Sequence, residues 1–335
     1  MSSVSEPRVL VAGATGFAGA LAANLIHRHP RFELAAVTAR SELVRRLDDL
    51  YPRYRVPLEL SELDLAGIEV DAAIVAYPHG AAAPVAAQLL ARGVRTIDLS
   101  ADFRLRDVAA YEQWYVPHPH PELIGRAVYG LTELYREQIA DAELVACPGC
   151  YPTAVLLALA PIARAGLLGD VVIDAKTGVS GSGRTADQST HFVSVDENVS
   201  AYKVGAHRHM PEIDQELAVL GAPVVAAFTP HLLPLDQGEL VSCYVTPTRA
   251  VEQAELDELY LNAYAAEPFI ELASTPPGVR EVRDTNICRI HAKADERTGK
   301  LFVFGSIDNL WKGTSAQAVQ NLNLMWGYDE RTGLS

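Results

Sequence analysis

Arg8-Val-Leu-Val-Ala12 runs directly into Gly13-Ala-Thr-Gly-Phe-Ala-Gly19, and this stretch decides the fold of the first half of the chain. A short apolar run of strand length is followed by three glycines. A helical segment then begins, with Leu21, Leu25 and Ile26 at helical spacing, which is the opening of a βαβ unit. Glycine is needed there because the turn is tight and the backbone must approach a pyrophosphate whose charge rests on the helix N-terminus. The spacing is G-x-x-G-x-x-G rather than G-x-G-x-x-G, so its position between strand and helix carries the reading. Gly13, Thr15, Gly16, Phe17, Ala18 and Gly19 are the candidate cofactor contacts.

Outward from this loop, residues 32–38, 71–76 and 95–99 read as further strands, with a helix over 81–91 between the last two. Strands that alternate with helices and lack polar alternation predict a parallel sheet covered on both faces, an α/β Rossmann-type domain over roughly the first 150 residues. After Cys150 the pattern changes. A helix over 153–165 leads into strand-like segments at 171–175, 224–228, 240–246, 286–294 and 300–308, with helices near 211–220 and 251–265. Few crossover helices among many strands predict a mixed or antiparallel sheet, hence an α+β second domain. The tail, 315–327, is again helical.

The 335 residues include 28 Lys+Arg and 42 Asp+Glu, a net charge of −14, with 49% hydrophobic and 21% charged residues. This is the composition of a folded globular protein, and its negative balance argues against a nucleic-acid partner. The longest apolar run, 154–163, is too short to span a membrane. The first residues resemble no signal peptide, and the four cysteines are too few for a disulfide framework, so a cytoplasmic enzyme is expected.

The second strand ends Thr38-Ala39-Arg40-Ser41. An NAD enzyme usually places an acid there for the ribose 2′-hydroxyl, whereas Arg40 can pair with the 2′-phosphate of NADP and Ser41 can add a hydroxyl. NADP(H) is the expected cofactor.

Ala146-Cys147-Pro148-Gly149-Cys150-Tyr151-Pro152-Thr153 places Cys150 at a helix start, with Pro152 in the first turn. Free N–H groups and the helix dipole favour a thiolate there, so Cys150 is the candidate nucleophile. Cys147 and Cys150 also form a C-x-x-C, but Cys243 and Cys288 are isolated, so no metal site is expected. Cys147 could instead serve as a resolving thiol in a reversible disulfide with Cys150. His207 and His209 are the acid–base candidates. Met210 precedes Pro211 and should be extended, and an extended 207–209 segment would put both histidines on one face.

Several longer strings identify a family. The glycine loop, Asp98-Leu-Ser-Ala-Asp-Phe-Arg-Leu-Arg-Asp107, Pro148-Gly-Cys-Tyr-Pro-Thr153 and Lys176-Thr-Gly-Val-Ser-Gly-Ser-Gly-Arg184 resemble N-acetyl-γ-glutamyl-phosphate reductases. So do His207-Arg-His-Met-Pro-Glu-Ile213, Phe228-Thr-Pro-His-Leu-Leu-Pro234 and Asp308-Asn-Leu-Trp-Lys-Gly313. The resemblance implies a second domain of the glyceraldehyde-phosphate/semialdehyde dehydrogenase type over 150–311. The NADP-binding domain would be 1–149, joined by the C-terminal helix 312–335. It implies NADPH-dependent reductive dephosphorylation of an acyl phosphate through a thioester on Cys150, in arginine biosynthesis. His209 would be the acid–base group, with His207 as the alternative and Glu212 a possible orienting partner. Arg104 and Arg184 would meet the anionic substrate, Ser180 and Gly181 would cover the cofactor, and Asn309 would lie near the nicotinamide. A homo-oligomer, dimer or tetramer, is expected. The chain departs from the family pattern at Cys147, where Asn is more common, and at Asp236-Gln237-Gly238, where a basic residue before the glycine is usual. Two rival readings are a related aminoadipyl-phosphate reductase of lysine biosynthesis and a catalytically silent NADP-binding regulator.

Overall fold

The computed structural model describes residues 6–40 and 45–334 and divides the chain into two compact units, Met1–Pro148 with Thr314–Ser335, and Gly149–Gly313. The first unit is built on a seven-stranded sheet of β1 (Arg8–Ala12), β2 (Glu33–Thr38), β3 (Leu60–Ser61), β4 (Ala72–Val75), β5 (Arg95–Asp98), β6 (Ala127–Tyr129) and β7 (Leu144–Ala146). Its order is β3-β2-β1-β4-β5-β7-β6 and every pair is parallel. Val9–Ala12 and all of β4 are buried, which is why these strands are apolar without alternation. The strand order reverses between β1 and β4, and the glycine loop leaves β1 at this switch point, where parallel sheets bind ligands. The three-residue strands β6 and β7 were not anticipated from sequence, being too short for any periodicity to register.

The helix Ala316–Met325 returns the end of the chain to this unit, burying Gln317, Gln320, Asn321 and Asn323. Its polar side chains are satisfied inside. Asn321 accepts from the Thr132 hydroxyl at 2.6 Å and donates to the Gly130 carbonyl at 2.8 Å, and the Ser315 hydroxyl donates to Ala18 O at 2.8 Å.

The second unit carries a mixed sheet of β8 (Leu168–Gly178), β9 (Ser200–Ala201), β10 (Ala227–Leu233), β11 (Glu239–Pro247), β12 (Ile270–Leu272), β13 (Cys288–Asp295) and β14 (Lys300–Ile307), in the order β12-β13-β14-β11-β8-β10-β9. Two pairs, β8–β10 and β12–β13, are parallel and the rest antiparallel. Residues 224–226, expected to open a strand, lie before β10 and outside it. The helix Cys150–Arg164, apolar on nearly every side, is the centre of this unit's core. It is held from the helix Gln253–Tyr264 by the Tyr260 and Tyr264 hydroxyls, which donate to Ala158 O and Leu157 O at 2.5 and 2.6 Å. A buried helix needs such anchors because its backbone has no water to turn to.

Candidate active site

In the first unit the glycines divide the work. Gly13 has φ +93°, and a Cβ there would lie 2.6 Å from Ala76 O. A Cβ at Gly19 would lie 2.2 Å from Gly13 O. Both are therefore fixed by packing of loop, strand and helix Phe17–His27. Gly16 caps that helix with nothing closer than 3.9 Å to its missing Cβ. Between buried Gly13 and Gly19, the residues Thr15–Ala18 are the part that reaches the surface. Tyr51 steadies this edge, donating to Thr15 O at 2.8 Å with its ring edge-on to Phe17. Open backbone at a helix N-terminus is the donor set a pyrophosphate needs, so the residues present fit a dinucleotide. Arg40 is exposed just beyond β2. Ser41 lies outside the described residues.

In the second unit Cys150 is the first residue of its helix, capped by Gly149 at φ −67°, ψ 158°. Of the four cysteines only Cys150 is not buried. Burial pushes the Cys243 thiol up to about 12, so it stays protonated and inert. The N–H groups of Cys150 and Tyr151 lie in the first helical turn, where no intrahelical acceptor exists, and Pro152 removes a third donor.

The histidines come together, but not as strand neighbours. His209 has φ −82° and ψ −12° and caps the helix Met210–Val219, so the expected extended segment is a turn running into a helix despite Pro211. The turn brings the two rings to 4.8 Å, and the His209 N–H donates to His207 Nδ1 at 3.2 Å. His207 is buried among Tyr151, Tyr202 and Phe228. That burial pushes its pKa down to about 4, with Lys203 and Arg208 adding to the effect, so the ring is neutral at ordinary pH. His209 is half-buried and lies against Gly149: a Cβ on that residue would be 2.3 Å from Nε2. Glu212, expected to orient a histidine, accepts the Gly149 N–H at 2.9 Å and so fixes the backbone before the cysteine.

Further down the same unit, Asn309 is buried, accepting from Gly238 N–H at 2.8 Å and donating to the Ser180 hydroxyl at 3.0 Å; that hydroxyl donates to Asp236 O at 2.6 Å. Ser180 is thus tied into the fold, while Gly181 is exposed beside it. Gln237, at the departure from the family pattern, donates to the Asp308 carboxylate at 3.0 Å. Arg184 sits on an exposed loop. Arg104 belongs to the first unit and is buried; its Nε donates to Cys147 O at 2.6 Å and its Nη2 to Leu99 O at 2.8 Å. It braces the segment leading to Pro148. Cys147 is a fully buried free thiol whose sulfur accepts from Asn321 Nδ2 at 3.6 Å. It fills a hydrogen-bonded position within the first unit, which opposes the resolving-thiol role. Sequence reading missed Glu239, Tyr151 and Tyr202, which surround the cysteine and its histidines. Among the described residues no cluster of His, Cys, Asp and Glu could hold a metal ion.

Residues 8–142 match the family profile for the semialdehyde dehydrogenase NAD binding domain, and 150–309 match the semialdehyde dehydrogenase dimerisation domain. The chain is 47% identical to an N-acetyl-gamma-glutamyl-phosphate reductase of Desulforudis audaxviator, covering 98% of this chain and 97% of that one. It is 45% identical to the enzymes of that name from Dehalococcoides mccartyi (96% and 95% covered) and Moorella thermoacetica (97% and 96% covered). The fold is shared with aspartate semialdehyde dehydrogenase II of Vibrio cholerae, solved with ASA, at TM-score 0.73 and 18% identity over 96% of this chain and 99% of that one. The NADP-bound aspartate semialdehyde dehydrogenase of Candida albicans has the same TM-score at 13% identity, over the same shares of the two chains. With a nucleotide loop in one unit, a helix-terminal thiol beside a histidine in the other, and full-length relatives at this level, the chain belongs to the N-acetyl-γ-glutamyl-phosphate reductase family of NAD(P)-binding oxidoreductases.

Proposed function

We propose that the chain reduces N-acetyl-L-glutamyl 5-phosphate with NADPH to N-acetyl-L-glutamate 5-semialdehyde and phosphate, as a cytoplasmic step of arginine biosynthesis. The observation that carries the mechanism is Cys150: the one thiol not buried, at the start of a helix, in the same unit as His209. The Cys150 thiolate attacks the acyl carbon, the C–O bond to phosphate breaks, and phosphate leaves with the bonding electron pair, giving a thioester. First-turn N–H groups of the nucleophile helix stabilise the oxyanion. Gly13–Gly19 would hold NADPH with Arg40 on its 2′-phosphate, and the cofactor bound there would supply the hydride. His209 protonates the carbonyl oxygen during reduction and takes that proton back as the C–S bond breaks to release aldehyde and thiolate. His207, held neutral, positions the His209 backbone. Arg104 and Arg184 are the proposed anion contacts, and Ser180, Gly181 and Asn309 the proposed nicotinamide-side contacts.

A homo-oligomer is supported by the outer face of the second sheet. Val172, Tyr244 and Phe302 stand side by side across β8, β11 and β14, with Val172 44% and Tyr244 36% exposed. An apolar row of this kind favours burial against a second copy. The relatives named above favour the acetylglutamyl substrate over the aminoadipyl one. The experiment is NADPH oxidation with each acyl phosphate in wild type and Cys150→Ala, with mass spectrometry of wild type quenched without NADPH. Turnover with the acetylglutamyl compound, an acyl adduct on Cys150 and an inactive Cys150→Ala protein that still binds NADPH are expected; a fully active Cys150→Ala protein would sink the mechanism.

A further inference from the structure

Glu239 opens β11, and its side chain lies on the buried face that Val241, Cys243 and Val245 continue. It is fully buried and faces Thr177 in register across β8. Neither of its oxygens has a partner of full hydrogen-bond geometry. The Cys150 thiol and the Thr177 hydroxyl are the donors close enough to pull its pKa down. Tyr151, from the nucleophile helix, and Tyr202 both feel its charge, and Asp308 beyond β14 repels it; none of these neighbours is a cation. A carboxyl placed this way is costly as an anion and stable as an acid.

We propose that Glu239 is the proton store of the nucleophile, accepting the Cys150 thiol proton on acylation and returning it after the aldehyde leaves. This rests on the reading of Cys150 as the nucleophile. In the free enzyme Cys150 and Glu239 share one proton. As sulfur bonds to the acyl carbon, the proton is on a Glu239 oxygen; the carboxyl is then neutral beside a neutral thioester, and no buried charge is stranded. When the C–S bond breaks, the electron pair returns to sulfur and the acid next to it can reprotonate the thiolate. The labour divides: Glu239 serves sulfur and His209 serves the substrate oxygen. Burial, the largest influence, lifts the Glu239 carboxyl to about 8, with repulsion from Asp308 helping, so the carboxyl can hold the proton the thiol gives up. The two groups titrate as a coupled pair.

The test compares wild type, Glu239→Gln, Glu239→Asp and Cys150→Ser. Each is assayed for kcat and KM and, without substrate, for the pH dependence of Cys150 alkylation by iodoacetamide, located by peptide mass. Wild type should show a two-step alkylation profile. Glu239→Gln should show a single step, with kcat lower by roughly 10²-fold, the scale of a lost proton-transfer group, and KM for the acyl phosphate changed little. Glu239→Asp, which keeps the acid, should retain the two-step profile and recover part of kcat. Should Gln not fold, a single-step profile in Glu239→Asp overturns the proposal and a two-step profile supports it. A Glu239→Gln profile and kcat equal to wild type would overturn the proton-store role while leaving the nucleophile intact. An active Cys150→Ser protein, or no alkylation of Cys150 in wild type, would instead remove the nucleophile reading and this proposal with it.

Discussion

The His209 imidazole occupies the space a side chain at position 149 would need: Nε2 lies 2.3 Å from where a Cβ on Gly149 would stand. Residue 149 is therefore glycine for a steric reason. Its φ of −67° is open to any residue, so what excludes a side chain is the His209 ring. Gly149→Ala should push the ring away and lower kcat by roughly 10²-fold, the scale of a displacement of about 1 Å in a catalytic group. Thermal stability should fall far less. Steady-state kinetics with a melting curve separates the two, and an alanine variant with wild-type kcat would show that His209 is not the acid–base group.

Arg40 is the proposed partner of the cofactor 2′-phosphate. Arg40→Ala should weaken NADPH binding by ~1.5–3 kcal/mol, the range for a hydrogen bond to a charged group, and leave NADH nearly unaffected. Fluorescence titration with both nucleotides reads this directly. An equal loss for both would mean that Arg40 shapes the loop instead of meeting the 2′-phosphate.

His207 makes acid sensitivity a property of the second unit. Its folded pKa, about 4, lies below the ordinary value of 6.5, so the folded state favours the neutral ring and the unfolded state binds the extra proton first. Its stability contribution is present above the unfolded value and is lost as pH falls from about 6.5 toward 4. About 3 kcal/mol is the ceiling for a shift of this size. In melting curves across that window, wild type should lose more stability than His207→Gln; parallel curves would show that the ring is not desolvated.

Cys147 should be a bystander in oxidation. Its sulfur is buried against Asn321, so peroxide inactivation and recovery with a dithiol should be the same in wild type and Cys147→Ser. Recovery in wild type alone would revive the resolving-thiol role.

Strong local patterns made much of this readable. The apolar run 8–12 and its glycines specify strand, loop and helix by themselves, and helix Cys150–Arg164 follows from its own apolar length. What sequence hid was set by partners distant in the chain. The turn at 207–209 overrides the bias against helix before Pro211, because the ring pair packs against Tyr151, Tyr202 and Phe228 from other elements. Arg104 was expected only as a substrate contact, and that the carbonyls of Leu99 and Cys147 hold it inside could not be read from its own segment. Glu239 was legible in part: alternation through Val241, Cys243 and Val245, carried back two residues, puts a carboxylate on the inner face of β11. That the inner face there meets a thiol needed the register with β8 and the helix above it.

The helix Ala316–Met325 has a consequence for how the polypeptide is made. Residues 149–313 are contiguous in the chain, whereas the nucleotide-binding unit is interrupted by them. Until the last segment emerges, Thr132 and the Gly130 carbonyl lack their Asn321 partner and the Ala18 carbonyl lacks Ser315. The nucleotide-binding unit is therefore completed only after residues 149–313 have been made, and a nascent chain stalled after residue 313 would carry that unit incomplete.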